Sequence, residues 1–303
     1  ATIQRCARRD AGDHVMRERD LLDAIRLRSS GIELDGADLV TGPGDDCAVV
    51  RIGGETLLIT VDQLVEGRHY DPGTELDLIA RKSIARSISD IGAMAGEPVF
   101  ATATGLLPDG FDRGDELFDA MKRWAEHWGA PLIGGDIAFG PGPMVLTTTV
   151  IGRCQGAPLL RSGARIGGGV YVSGPIGGSF ASGRHLTFEP RLDAGRAARE
   201  AGVTGLIDIS DGLGIDAHRI GAMSGVRLQI DADAVPLQKD AGTWRDAFAA
   251  GEDYELLACG PDCPAGFTRI GAVIDGLPGA VVIAAGIEHD ASALGWDHGA
   301  ADG

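Results

Sequence analysis

The sequence predicts a mixed α/β chain of two domains. Three observations carry this reading. Runs with helical apolar spacing alternate with β-branched extended runs along the chain. Its 303 residues correspond to two domains at roughly 150 residues each. Glycine occurs 47 times, enough for the many tight turns that such alternation needs.

Residues 16–29 repeat apolar residues at helical spacing, with Leu21, Leu22, Ile25 and Leu27 on one side, and predict a helix. Two extended runs, 47–52 and 56–61, flank Gly53-Gly54 and read as a hairpin. A second helix is expected over 76–95, with Ile84, Ile88 and Ile91 on one stripe. An extended run at 99–106, a helix at 112–128, a short strand at 131–133 and a β-branched strand at 144–151 follow. The turn residues Gln155-Gly156-Ala157-Pro158 mark a boundary, giving domains 1–154 and 155–303. The second domain alternates again: strands at 170–172, 204–209 and 226–230, helices at 191–201 and 212–223, and strands near Tyr254 and Ile270.

Composition narrows the chemistry. A hydrophobic content of 44%, with 23% charged residues and mean hydropathy of +0.05, describes a globular chain. The formal charge of −17 repels nucleic acid and anionic lipid, so neither is an expected partner. No apolar run approaches the ~18 residues of a membrane span, and the basic stretch at 5–9 leads into acidic sequence. Five scattered cysteines without C-x-x-C spacing argue against structural zinc or a disulfide framework, and a cytoplasmic location is expected. Lysine occurs only at 82, 122 and 239, never after glycine, which excludes a P-loop.

Six acidic motifs stand out: Gly44-Asp45-Asp46, Thr60-Val61-Asp62, Ser89-Asp90, Gly134-Gly135-Asp136, Asp208-Ile209-Ser210-Asp211-Gly212 and Gly251-Glu252-Asp253-Tyr254-Glu255. Singly, such residues are turns and caps: Asp211 suits a helix N-cap, and Arg86 would pair with Asp90 on a solvated helix face. Together they suggest more, because Asp62 and Asp136 each end an apolar extended run, where α/β sheets place ligand groups. Two carboxylates ~4 Å apart repel by about 4 kcal/mol at an effective dielectric near 20, a repulsion that divalent cations relieve. Carboxylate oxygens shared with phosphate oxygens suit Mg²⁺.

The ordered segments GPGDDCAVV, LLITVDQLVEGRHY, SISDIGAMAGEP, LIGGD, LLRSGA, GRHLTFEPR, DISDGL and GEDYELL, with a weaker echo at residues 295–298, resemble the thiamine-monophosphate kinase family of the AIR-synthase (PurM-like) superfamily. The resemblance implies a PurM-like two-domain fold: an N-terminal mixed sheet that pairs in a homodimer and a C-terminal α/β domain, with ATP between the domains. It implies several Mg²⁺ ions on Asp46, Thr60, Asp62, Asp90, Asp136, Asp208 and Asp211. ATP would contact Gly135, Asp136, Arg161 and Ser210, and thiamine monophosphate His69, Glu252 and Trp296. The sequence departs from the family pattern at several places, among them Ile137-Ala138 where the family has Thr-Thr. Ser87 stands where the family has Asn, Val61 where it has Thr, and Ser179–Gly183 replaces a helix-bearing stretch of some twenty residues.

The implied activity is Mg²⁺-dependent in-line phosphoryl transfer from ATP to thiamine monophosphate. A phosphate monoester with its second pKa near ~6 is already anionic at neutral pH and needs no general base. The alternatives are an AIR-synthase-like enzyme with another acceptor, or a non-catalytic nucleotide- or metal-phosphate-binding homologue. Trp128 is expected to pack in the core.

Overall fold

A computed structural model describes residues 18–29 and 31–296. The basic stretch at 5–9, Cys6, and residues 297 and 298 of the last motif lie outside the described residues.

Two mixed sheets form the molecule. The first contains β1 (Asp38–Thr41), β2 (Ala48–Ile52), β3 (Glu55–Val65), β4 (Glu97–Pro108), β5 (Leu132–Gly140) and β6 (Val145–Arg153) in the order β1-β2-β3-β6-β4-β5. Its pairs are antiparallel except β4 with β5. On β3 the side chains alternate, with Leu58, Thr60 and Leu64 buried and Val61 exposed, as a strand with one covered face requires. The cover is α2 (Leu76–Ala93), with α3 (Gly114–His127) packed beside it. Ile84, Ile88 and Ile91 of α2 share one core with Leu58, Leu146 and Val150 of the sheet. Trp128 belongs to that core and stacks on Trp124.

The second sheet contains β7 (Gly169–Val172), β8 (Gly205–Asp208), β9 (Arg227–Asp231), β10 (Leu256–Gly260), β11 (Thr268–Ile274), β12 (Gly279–Ala284) and β13 (Ile287–Asp290), ordered β13-β12-β9-β11-β7-β10-β8. Helix α5 (Leu213–Ser224) covers one face, while α4 (Leu192–Glu200) packs between the other face and α2. Helix α2 is therefore enclosed by both halves. This explains its buried small polar residues: Ser83 bonds Thr148 at 2.9 Å, Ser87 bonds Asp62 at 2.9 Å, and Ser89 donates to Asp208 at 2.6 Å.

Four elements escape the sequence reading: β1, β12, β13 and the six-residue α6 (Trp244–Ala249). Each is too short to show a period, and α6 is held by a Thr243–Asp246 capping box. The N-terminal helix forms as Glu18–Arg28, but Leu21, Leu22, Ile25 and Leu27 are exposed instead of facing a core. Strand β5 runs through Gly134-Gly135-Asp136, which the sequence reads as a strand end. A Cβ at Gly135 would sit 1.9 Å from the Ala103 carbonyl oxygen, so this glycine marks a close approach of two parallel strands, not a turn. Asp62 likewise lies inside β3, opposite Thr148. Among the described residues no helix is long and apolar enough to cross a membrane.

Helix α5 meets β12 at Gly221, where a Cβ would fall 1.9 Å from the Gly279 carbonyl oxygen. Gly221→Ala is therefore expected to cost about 1–3 kcal/mol despite a helix-propensity gain near 1 kcal/mol. A denaturation midpoint unchanged or raised by this substitution would contradict the packing.

Candidate active site

The loop before β2 supplies Asp46, the last turn of α2 supplies Asp90, and the end of β8 supplies Asp208. One carboxylate oxygen from each lies within 4.8 Å of the other two. Asp46 and Asp208 are buried, and Asp46 Oδ2 has no hydrogen-bond partner among the described residues. Burial pushes the Asp90 carboxyl well above the usual carboxylate range, and Asp62, Asp208 and Asp46 push it further. Burial, then Asp46, raises Asp208 in the same way. The threonine hydroxyl of Thr60 donates to Asp90.

The flanking groups orient this cluster. Asp45 receives the backbone N–H of Arg161 at 3.2 Å and that of Asp46 at 3.1 Å, while the Arg161 guanidinium donates to Asp46 at 2.5 Å. Burial, with Asp46 beside it, pushes Asp45 up to about 7. Asp62 accepts from Ser87, which also lies 3.1 Å from the Thr148 carbonyl, so Ser87 keeps this carboxylate oriented. Asp211 does not cap α5. Its carboxylate pairs with Arg219 at 2.5 Å, its own N–H donates to Asp216, and Gly212 at φ +119° makes the turn. Arg86 does not pair with Asp90 on a solvated face: it turns toward Asp62 and the Gln63 carbonyl.

A cavity of about 410 Å³ opens beside the cluster. Asp62, Asp90, Asp208, Ser210 and Asp211 line it together with His69, Glu252 and Trp296. His69 Nδ1 accepts the Val65 N–H at 2.9 Å, and Glu252 pairs with the wholly buried Lys82 at 2.6 Å. Desolvation lowers Lys82 to about 8 against the opposing pull of Glu252. The backbone N–H of Trp296 donates to the Asp211 carbonyl, and the Trp296 side chain is half exposed at the cavity. Glu252 and Tyr254 hold left-handed backbone, φ +68° and +53°, strain of the kind that settles at ligand sites. Between them, the Asp253 carboxylate takes the Gly177 N–H at 3.0 Å and pairs with Arg184. The shortened segment is thereby tied down, and it delivers Phe180 to the cavity wall, stacked on His185.

Gly135 and Asp136 are not brought to this site within one chain. From Asp62 the ladder runs through Thr148 and Ala103 to Gly135, three strand spacings or ~14 Å away. Both line a separate, largely apolar cavity of about 600 Å³ between α3 and the β4–β5 edge. Sequence reasoning missed Phe180, Tyr254, Arg68 and Arg86 as cavity residues. The four-residue spacing of Lys82, Arg86 and Asp90 is the signal that could have found Arg86.

A paired-carboxylate cleft between two mixed sheets defines a class, and residues 44–154 match the family model for the N-terminal domain of AIR synthase related proteins. Thiamine-monophosphate kinase from Mycobacterium tuberculosis is 35% identical over 272 residues, 79% of this chain and 81% of the relative. That from Salmonella typhimurium is 32% identical over 315 residues, 90% and 94%. The chain belongs to the thiamine-monophosphate kinase family. The structure of AaThiL complexed with AMPPCP and TMP superposes with a TM-score of 0.81 at 28% identity, covering 93% of this chain and 97% of that one.

The raised carboxyls set a pH dependence. The folded, metal-free protein holds protons on Asp45, Asp90 and Asp208 that the unfolded chain releases near pH 4, so its stability falls as pH rises from about 4 through 7. Metal-free protein should melt at higher temperature at pH 5 than at pH 7.5, and Asp208→Asn should flatten that slope and raise the pH 7.5 melting point. A melting point that climbs with pH would contradict the assignment.

Proposed function

We propose that this chain transfers the γ-phosphoryl group of ATP to thiamine monophosphate, forming thiamine diphosphate and ADP. The single observation that carries this reading is that one cavity joins the carboxylate cluster to His69, Glu252 and Trp296. Family membership and the overall likeness to AaThiL, whose complex holds AMPPCP and TMP, support it.

The carboxylates fit Mg²⁺. Three converging oxygens, an orphaned Asp46 Oδ2 and carboxyls that burial and mutual repulsion raise well above the usual range describe a site suited to a divalent cation. Asp46, Asp90 and Asp208 would hold the metal, with Thr60, Asp62 and Asp211 at the rim. Bound there, Mg²⁺ supplies charge neutralisation between two anionic groups and aligns them. Arg161 and Ser210 serve the nucleotide side. Glu252 answers the cationic ring of the acceptor, and the half-exposed Trp296 offers it a stacking face. The acceptor's phosphate oxygen attacks Pγ, the bond from Pγ to the bridging oxygen breaks, and ADP leaves with that electron pair. Since the attacking oxygen is already anionic, no side chain has to remove a proton from it.

With Mg²⁺ and ATP, the protein should convert thiamine monophosphate stoichiometrically to thiamine diphosphate and ADP. Asp90→Asn and Asp208→Asn should each lower turnover by about 10²-fold or more while remaining folded. Product quantification by chromatography decides this, and folded variants with near-normal turnover would refute the metal assignment.

The functional unit is a homodimer. Val61 is about three-fifths exposed on the face of the first sheet opposite Leu58 and Leu64, a face that a second copy would cover. Gly135 and Asp136, out of reach within their own chain, would then serve a site shared between copies. Light scattering should give about twice 31.3 kDa. A stable species of single-chain mass with full turnover would overturn this.

A further inference from the structure

Lys82, Arg86 and Asp90 follow one another at four-residue spacing on a single stripe of α2, ~6 Å apart along its axis. The outer two are committed. Lys82 Nζ donates to the His69 carbonyl at 2.5 Å and pairs with Glu252, so it belongs to the acceptor end of the cavity. Asp90 belongs to the carboxylate cluster. Arg86 lies between them and lines the cavity.

Its guanidinium is only partly used. One N–H donates to the Gln63 carbonyl at 2.5 Å. Asp62 stands 3.7 Å from a second nitrogen, beyond hydrogen-bond reach. The Nε is buried with no partner among the described residues. The groups around it are Asp62 from β3, Lys82 and Asp90 from α2, and Glu252 and Tyr254 from the strained turn. The permanent charge of a guanidinium and its planar fork of donors match a phosphate better than any other group in this cavity. Arg68, the other arginine lining it, is exposed on the loop after β3.

We propose that Arg86 is the phosphate-binding residue of the acceptor cavity, gripping the monoester of thiamine monophosphate midway between the Glu252 end and the carboxylate cluster. The identity of the ester rests on the proposed function; the anion site does not. A role confined to balancing Asp62 would not distinguish a phosphorylated ligand from its alcohol.

The test is calorimetric binding to the Mg²⁺-loaded, ATP-free protein, comparing thiamine monophosphate with thiamine. Arg86→Met should weaken thiamine monophosphate by at least ~10-fold and leave thiamine within about 2-fold, because only the charge-assisted contact is lost. Arg86→Lys, which keeps the charge but not the fork, should recover part of the loss, and it serves as the measurement if the methionine variant does not fold. In turnover, the acceptor KM should rise with the ATP KM little changed. Equal weakening of both ligands, or unchanged thiamine monophosphate binding in a folded variant, overturns the proposal. If the unsubstituted protein does not phosphorylate thiamine monophosphate, the proposed function fails, and inorganic phosphate then decides the anion site. Loss of phosphate binding in Arg86→Met upholds it, and unchanged binding refutes it.

Discussion

Three carboxylates from three separate elements, Asp46, Asp90 and Asp208, are held within 4.8 Å of one another in a largely buried place. Left ionised and alone, any two of them ~4 Å apart would repel by about 4 kcal/mol at an effective dielectric of 20. The surrounding structure offsets this strain. Hydroxyls of Thr60, Ser87 and Ser89 and the guanidinium of Arg161 each meet a carboxylate, and burial pushes the Asp90 and Asp208 carboxyls well above the usual range. Such a cluster is costly to build, and it becomes favourable once a cation lies among its oxygens.

Helix α2 makes the arrangement possible. Enclosed between the first sheet and α4, it buries isoleucines in the core on one stripe and places serine, lysine, arginine and aspartate toward both halves of the molecule on the others. The stripe 82–86–90 runs from Glu252, paired with Lys82, to the carboxylate cluster at Asp90, so a single rigid element sets their spacing. The strained turn at 252–254 closes the acceptor end. Its left-handed residues are kept in place by the buried Asp253, whose contacts with Gly177 and Arg184 also anchor the shortened segment. The loop is short, yet it still contributes a cavity wall through Phe180.

Much of this was legible in the sequence. The apolar stripe of α2 and the alternation on β3 are strong local periods, and the ordered acidic motifs pointed to one phosphate-handling family. The elements that were missed, β1, α6, β12 and β13, run four to six residues and derive their stability from neighbours and caps. Asp211 illustrates a finer failure. Its position ahead of α5 suggests a cap, but Asp216 and Arg219, one and two turns inside the helix, capture it first.

The sequence by itself determined the chemistry available: which carboxylates, cations and aromatic residues exist, the net charge, and the family. Only the tertiary structure decided which of them meet. It joined Asp46, Asp90 and Asp208, and it drew Arg86 away from Asp90 toward Asp62. It left Asp136 on β5, three strands from Asp62 on the first sheet. The physical reason is that a motif specifies residue types and local backbone, whereas convergence depends on strand order, and strand order is set by long-range packing that no short window of sequence contains.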